Sequence, residues 1–200
     1  MQISKLDAAR RQLLAAIHLQ WFLVEPIATY QLAANAAEVC DGLLSAMGTI
    51  RVKERIQEVQ GWSPKDIAAL VNRPRNFVKH ADRDPHDLME DLTAEACDGI
   101  ILTACVDYCI ASGRSPIVVG AFVAWFAAVY PSQTGAFFAS EAQRLFPKLE
   151  GMPREQQVLA ARKFLASPVD SSLLHDYRNE MTDGWRWNEL MRSGQDFRFE

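Results

Sequence analysis

The sequence predicts an all-α protein that forms a single compact bundle of about six to nine helices. Two observations carry this prediction. Apolar residues recur at the three- and four-residue spacings of amphipathic helices, and capping residues, prolines and glycines mark helix starts and ends along the chain. The length of 200 residues, with 49% hydrophobic and 23% charged side chains, is typical of a folded domain. We therefore predict one helical domain over residues 1–200; the alternative is a subdivision near residues 85–92, between 1–84 and 92–200.

The first helix is predicted to begin after Ser4. Ser4 and Asp7 approximate a capping box, in which a side-chain oxygen accepts a free backbone N–H of the first turn. Since Asp7 and Arg10 interrupt what would be the apolar core of a secretory signal, we expect no signal peptide and a cytoplasmic protein. The apolar residues of this segment define one helical face: Leu6, Leu13, Leu14, Ile17 and Trp21.

Proline and glycine delimit the next segments. Pro26 begins a second, alanine-rich helix, because proline suits a first turn in which its missing N–H costs nothing. Gly48 ends that helix, since glycine readily takes the left-handed conformation found after helix C-termini. Residues 49–60 fit either a short helix or an extended segment.

A further helix is predicted to begin at Ser63 and Pro64, where a capping side chain and a first-turn proline occur together. We expect it to run to about Asn72. Pro74 should then interrupt it, because proline inside a helix removes a hydrogen bond and clashes with the preceding turn. A short helix is expected to resume at Pro74 and to continue through His80.

The second half of the chain contains six predicted helices, most of them bounded by glycine or proline. An apolar segment from Ile117 to Tyr130 lies within the longest uncharged stretch. Since it is too short to cross a bilayer comfortably, we interpret it as a buried core helix and expect no membrane contact. The predicted ranges are His86 or Thr93 to Ser112, Pro116 to Pro131, 132–146, 153–165, 172–181 and 185–191.

The cysteines and the absence of common catalytic motifs limit the classes of enzyme that the sequence indicates. Three of the four cysteines, Cys97, Cys105 and Cys109, fall near one helical face and are interpreted as small buried core side chains, with a redox or soft-metal site as the alternative. No P-loop, dinucleotide-binding G-x-G-x-x-G, H-E-x-x-H or G-x-S-x-G motif occurs in the chain. Nucleotide hydrolysis, dinucleotide redox chemistry, zincin proteolysis and α/β-hydrolase chemistry are therefore not indicated, and no cofactor is predicted.

One polar cluster suggests a function. Residues 72–86 (NRPRNFVKHADRDPH) contain two of the four histidines, four cationic side chains and two aspartates. On a helix Asn76 and His80 share a face, whereas Arg75 lies about 140° from His80, on an adjoining flank bordered by Lys79. A long arginine side chain could still reach the same pocket. Such a pocket would hold an anionic oxygen beside an imidazole that can transfer a proton near neutral pH.

The segment Arg75-Asn76-Phe77-Val78-Lys79-His80 resembles the R-N-x-x-x-H signature of HEPN domains. These are all-α bundles that typically pair as homodimers, and many are metal-independent endoribonucleases. The resemblance implies that Arg75 and His80 carry phosphate binding and proton transfer, with Asn76 in support and the 2′-hydroxyl of the RNA as the attacking group. It covers six residues of the chain. Because the net charge is −4, RNA would have to bind at a local basic patch, for which Arg73 and Lys79 are the predicted binding residues.

Other interpretations of the same cluster remain open. Arg75 could form an ordinary salt bridge, and His80 could cap a helix end. His80, Asp82, Asp84 and His86 also place four potential metal ligands within seven residues, which would suit a zinc, iron or manganese enzyme.

The last alternative is a non-catalytic helical interaction protein. In that case the apolar stretch Ile100 to Phe146 would pack into a homodimer or against a protein partner.

Overall fold

The computed structural model describes residues 2–80, 82–167 and 179–180, and in this part of the chain the protein is all-α with nine α-helices. The predicted fold class is confirmed. The chain forms two compact units. The first contains residues 2–20 and 25–111, and the second contains residues 21–24 and the described residues from 112 onward. The alternative subdivision near residues 85–92 falls inside the first unit.

The first unit is built from five helices. At the start of the first helix the predicted capping box is present, since the Ser4 hydroxyl accepts the Asp7 N–H at 3.0 Å and the Asp7 carboxylate accepts the Ser4 N–H at 3.2 Å. A π-helical turn, Leu19–Leu23, follows this helix. The helix bounds are α1 Lys5–His18, α2 Pro26–Ala46, α3 Val52–Gln60, α4 Pro64–Lys79 and α5 Ala94–Ser112.

The core of the first unit forms where α1 packs along α2. Small side chains on α2 let the two helices approach closely, and the larger Leu13 and Ile17 of α1 are completely buried. A buried polar pair ties the chain after α1 to α5, because the Gln20 side-chain amide donates to the Asp98 carboxylate at 2.7 Å. The small buried residues of α2 are Ala33, Ala34, Ala36, Ala37 and Cys40.

The ambiguous segment 49–60 forms helix α3, which ends at Gly61 with a φ of +68°. One partner is local, since the Glu54 carboxylate accepts the Arg51 N–H at 3.0 Å at the start of the helix. A second partner is distant in sequence. The Asp107 carboxylate of α5 accepts the Val52 N–H at 3.0 Å and so satisfies a free donor of the first turn.

Helix α4 is continuous across Pro74, so the predicted interruption is wrong. Pro74 is buried, and side chains of α2 bond to the carbonyls of Val71 and of Pro74 itself. The Tyr30 hydroxyl donates to the Val71 carbonyl at 3.3 Å, and the Gln31 amide donates to the Pro74 carbonyl at 2.9 Å. Tertiary packing and these hydrogen bonds outweigh the local cost of a proline inside a helix.

The second unit is built around one apolar helix, α6. The predicted buried core helix at 117–130 is thereby confirmed. Trp125 of α6 is fully buried, packs edge-on against Trp21 at 5.7 Å between ring centroids, and donates its indole N–H to the Gln157 carbonyl at 2.8 Å. None of the helices in the described ranges is long and apolar enough to span a membrane. The helices of this unit are α6 Ile117–Val129, α7 Pro131–Thr134, α8 Ala139–Leu145 and α9 Arg154–Ala166.

Two expectations for this unit need correction. The single helix predicted over 132–146 is broken into α7 and α8, because Gly135 and Phe138 take positive φ angles of 56° and 57°. The helix predicted over 172–181 lies outside the described residues except at 179–180. There the two-residue strand β2 (Asn179–Glu180) pairs in parallel with β1 (Ser115–Pro116). The helix predicted over 185–191 lies entirely outside the described residues.

Candidate functional site

Helix α4 carries the predicted site and packs through one face only. Ile67 and Pro74 are its buried residues, and its main neighbour is α2. Ser63 caps its first turn by accepting the Asp66 N–H at 3.2 Å. The rest of the helix surface is free to carry polar and apolar groups into solvent.

Arg75 is held against α2. Its guanidinium donates to the Asn72 side-chain oxygen at 3.3 Å and to the Asn35 side-chain oxygen at 3.2 Å, and it forms an ion pair with the Glu38 carboxylate. The Arg75 side chain is 18% exposed, whereas that of Glu38 is 65% exposed. The guanidinium therefore links α4 to α2, and a carboxylate already compensates its charge.

His80 lies where α4 ends. Its backbone N–H donates to the Asn76 carbonyl at 2.9 Å, and its φ of −117° and ψ of 38° take the chain out of the helical region. The His80 carbonyl then accepts the Arg83 N–H at 2.9 Å. The imidazole is half-buried, and no hydrogen bond joins it to Arg75 in the described part of the chain.

The remaining predicted site residues point to solvent. Arg73, Asn76 and Lys79 are all exposed. Among the described residues neither Arg73 nor Lys79 has a salt-bridge partner. The structure thus separates the predicted cluster into a fixed guanidinium at 75 and free polar side chains around it.

The segment proposed as a metal site is an exposed loop after α4. Asp82, Asp84 and His86 are exposed, and His80 is half-buried. Within residues 2–80, 82–167 and 179–180, no three histidine, cysteine, aspartate or glutamate side chains come together in a group that could hold a metal ion. The geometry therefore gives no support to the metal-enzyme alternative.

The cysteines belong to the core, as predicted. Cys40, Cys97 and Cys105 are completely buried, Cys109 is half-buried, and none of the four forms a disulfide within the described residues. Burial raises the pKa of the Cys40 thiol to about 12 and holds the pKa of Cys105 well above its usual range. Since the reactive form of cysteine is the thiolate, these buried positions disfavour redox or ligand chemistry.

Sequence reasoning missed the residues that hold Arg75. Asn35 and Glu38 lie three residues apart on α2, about 40 positions before Arg75, and no local pattern marks them as its partners. As an alternative, it placed an interaction surface in Ile100–Phe146. Ile101, Phe122 and Trp125 of that stretch are completely buried in the cores of the units, whereas Ile110 and Phe137 are exposed.

The apolar surface that stands out lies on α4 itself. Leu70 is 60% exposed, Phe77 is 37% exposed and Val78 is 48% exposed. The seven-residue spacing of Leu70 and Phe77 brings both to one side of the helix, whereas Val78 lies about 100° away. Asp66, Arg73 and His80 continue the same four- and three-residue spacing. We call this set the outer stripe of α4: Asp66, Leu70, Arg73, Phe77 and His80.

Comparisons with protein-family models, with curated proteins and with solved structures find no match to this chain.

Proposed function

We propose that this protein is a helical interaction protein that binds an amphipathic α-helix along the outer stripe of α4. The observation that carries the proposal is the exposure of Leu70 and Phe77 on a helix that packs on α2 through Ile67 and Pro74. Apolar side chains spaced by four and three residues are what helix-to-helix packing uses. A helix-binding surface of this kind presents its apolar anchor residues along one face.

The chemistry of the partner follows from the stripe. A helix that covers it needs apolar side chains at matching spacing for Leu70 and Phe77. It also needs polar groups that complement Asp66, Arg73 and His80 along the same line. The four cysteines, which form no disulfide within the described residues, support a cytoplasmic setting, because thiols remain reduced there.

Site-specific photocrosslinking in cells that make the protein tests this function. The photoreactive amino acid p-benzoylphenylalanine is placed at position 77, on the outer stripe. The matched control places it at position 137, since Phe137 is exposed to a similar extent, 46%, in the second unit. We expect a defined crosslinked protein from position 77 and not from position 137, identified by mass spectrometry. Absence of any protein crosslink at position 77 contradicts the proposal.

A second candidate function is metal-independent RNA cleavage or RNA binding in the manner of HEPN domains. Arg73 and Lys79 support it as exposed cations without ion-pair partners in the described ranges, with the half-buried imidazole of His80 nearby in sequence. The ion pair between Arg75 and Glu38 opposes it, because it occupies the guanidinium that a phosphate would need.

RNA degradation in EDTA by the purified protein tests this candidate, with His80→Ala as the variant and His86→Ala as the matched control. Cleavage that persists in EDTA, is lost in His80→Ala and survives in His86→Ala would establish it. RNA that stays intact with wild-type protein would exclude the nuclease.

A further inference from the structure

The outer stripe of α4 has a symmetric order of side chains. An acid, Asp66, lies at one end and an imidazole, His80, lies at the other. Two exposed apolar side chains lie between these ends, and Arg73 occupies the centre. On an ideal helix the five positions fall within about 80° of the circumference, so they form one continuous line. Reversing the direction of this line exchanges the acid with the imidazole and one apolar residue with the other.

We propose that the outer stripe binds the outer stripe of a second copy of this chain, with the two α4 helices antiparallel. In a pair centred on Arg73, Leu70 of one copy lies opposite Phe77 of the second copy. Asp66 likewise lies opposite His80 of the second copy. Each contact occurs twice, which is what a two-fold symmetric interface requires. The inference rests on the proposed function and names its partner.

The charged groups at the two ends of the outer stripe support a second copy of this chain as its partner. Asp66 and His80 carry groups of complementary type, and both are accessible. Asp66 also accepts a hydrogen bond from the Ser63 hydroxyl at 2.6 Å, which holds its carboxylate at the surface beside the helix start. No described side chain forms a salt bridge with Asp66 or His80 within the chain.

The short length of α4 and the position of Arg73 predict a weak dimer. Helix α4 has 16 residues and is about 24 Å long, so a pair of such helices buries less than a standard protein interface. The dimer is therefore reversible and depends on concentration. Arg73 of one chain lies close to Arg73 of the second chain near the two-fold axis, and the repulsion between these like charges weakens the dimer.

Analytical ultracentrifugation of the full chain over a range of concentrations tests the dimer. The wild-type protein should pass from the 22.5 kDa chain mass to twice that mass as its concentration rises. Asp66→Lys or His80→Glu places like charges opposite each other, and each should weaken association at least tenfold. A mixture of these two variants should associate again, because both opposing pairs then attract.

The mixing result guards against misfolding, since a variant that does not fold cannot regain association when mixed. Thermal melting of each variant by circular dichroism checks the fold as well, because Asp66 also contributes to the helix cap. Lys79→Glu is the matched control. Like His80→Glu, it introduces a glutamate near the end of α4, but on a side of the helix that lies roughly 160° from Phe77. It should therefore leave association unchanged.

Arg73→Gln separates the dimer from the RNA alternative. It removes the like-charge contact at the axis, so dimerisation should strengthen several-fold, whereas binding to a single-stranded RNA probe should weaken.

A wild-type chain that stays monomeric at every concentration overturns the dimer. If position 77 then crosslinks to a different protein, the proposed function stands and only the identity of the partner is wrong. If position 77 crosslinks to nothing, both fall.

Discussion

Helices α6 and α4 are of similar length, and the protein uses them in opposite ways. In α6, ten of thirteen residues are buried and none is charged. In α4, two of sixteen residues are buried, and polar, charged and apolar side chains share the exposed surface. A helix buried around its whole circumference contributes to stability, whereas a helix packed on one side keeps a surface for recognition. The candidate site therefore belongs to the helix that contributes less to the core.

The largest effect is expected in α6. Trp125→Ala removes a fully buried indole that packs on Trp21 and Phe122 and bonds to the Gln157 carbonyl. The free energy of unfolding should fall by about 3–5 kcal/mol, measured by urea denaturation. Leu159→Ala, at a position 47% exposed, is the control and should change it by less than about 0.5 kcal/mol. Equal losses from both variants would remove the distinction between core and surface.

A buried carboxyl should show the next largest effect. Burial raises the pKa of Asp107 to about 6, against the lowering effect of its hydrogen bond from Val52. The folded state therefore favours the protonated carboxyl of Asp107. Below about pH 4 the carboxyl is protonated in the folded and the unfolded chain, and its burial costs no charge. As the pH rises to about 6 the carboxyl becomes charged, and the free energy of unfolding falls.

Asp107→Asn keeps an oxygen that can accept the Val52 N–H and removes the buried charge. It should raise the free energy of unfolding at pH 8 by about 2 kcal/mol and have little effect below pH 4. Urea denaturation from pH 3.5 to pH 8 measures this. The exposed control Asp84→Asn should leave the pH dependence unchanged, and a pH-independent effect of Asp107→Asn would show that the charge is not the cause.

A smaller effect is expected at Arg75. Arg75→Ala removes the links to Asn35 and Glu38 and should lower the free energy of unfolding by about 1 kcal/mol, because Glu38 is largely in solvent. The control Arg73→Ala should change it by less than about 0.5 kcal/mol. If Arg75→Ala leaves stability intact and instead abolishes RNA cleavage, the structural interpretation of Arg75 is wrong.

The smallest effect on stability is expected on the outer stripe. Phe77→Ser removes an exposed ring and should change the free energy of unfolding by no more than about 0.5 kcal/mol, while it weakens dimerisation strongly. Thermal melting and sedimentation of the same sample measure the two quantities together. A large loss of stability without any loss of association would assign Phe77 to the core instead.

Much of the helical framework could be predicted from local chemistry. The capping box at Ser4, the proline start at Pro26, the cap at Ser63 and the apolar composition of α6 act within a few residues of chain. Predictions failed where a distant partner or a backbone angle decided the outcome. Pro74 stays helical because α2 packs on it, and the chain breaks after Thr134 because Gly135 and Phe138 take positive φ angles.

The candidate site shows the same division. The motif from Arg75 to His80 is readable in the sequence as a set of polar residue types, and its helical spacing follows from the 3.6-residue turn. Which of these side chains form hydrogen bonds and ion pairs depends on α2, since only packing brings Asn35 and Glu38 to Arg75. The exposure of Leu70 and Phe77 likewise depends on which face of α4 is buried.

The order of residues alone was enough to specify an all-α chain, most helix starts and a buried apolar helix at 117–129, because caps, prolines and helical periodicity act over one or two turns. Tertiary structure decided that α4 is unbroken and that Arg75 pairs with Glu38. These outcomes depend on contacts between residues far apart in the chain, and no local pattern encodes which groups will meet.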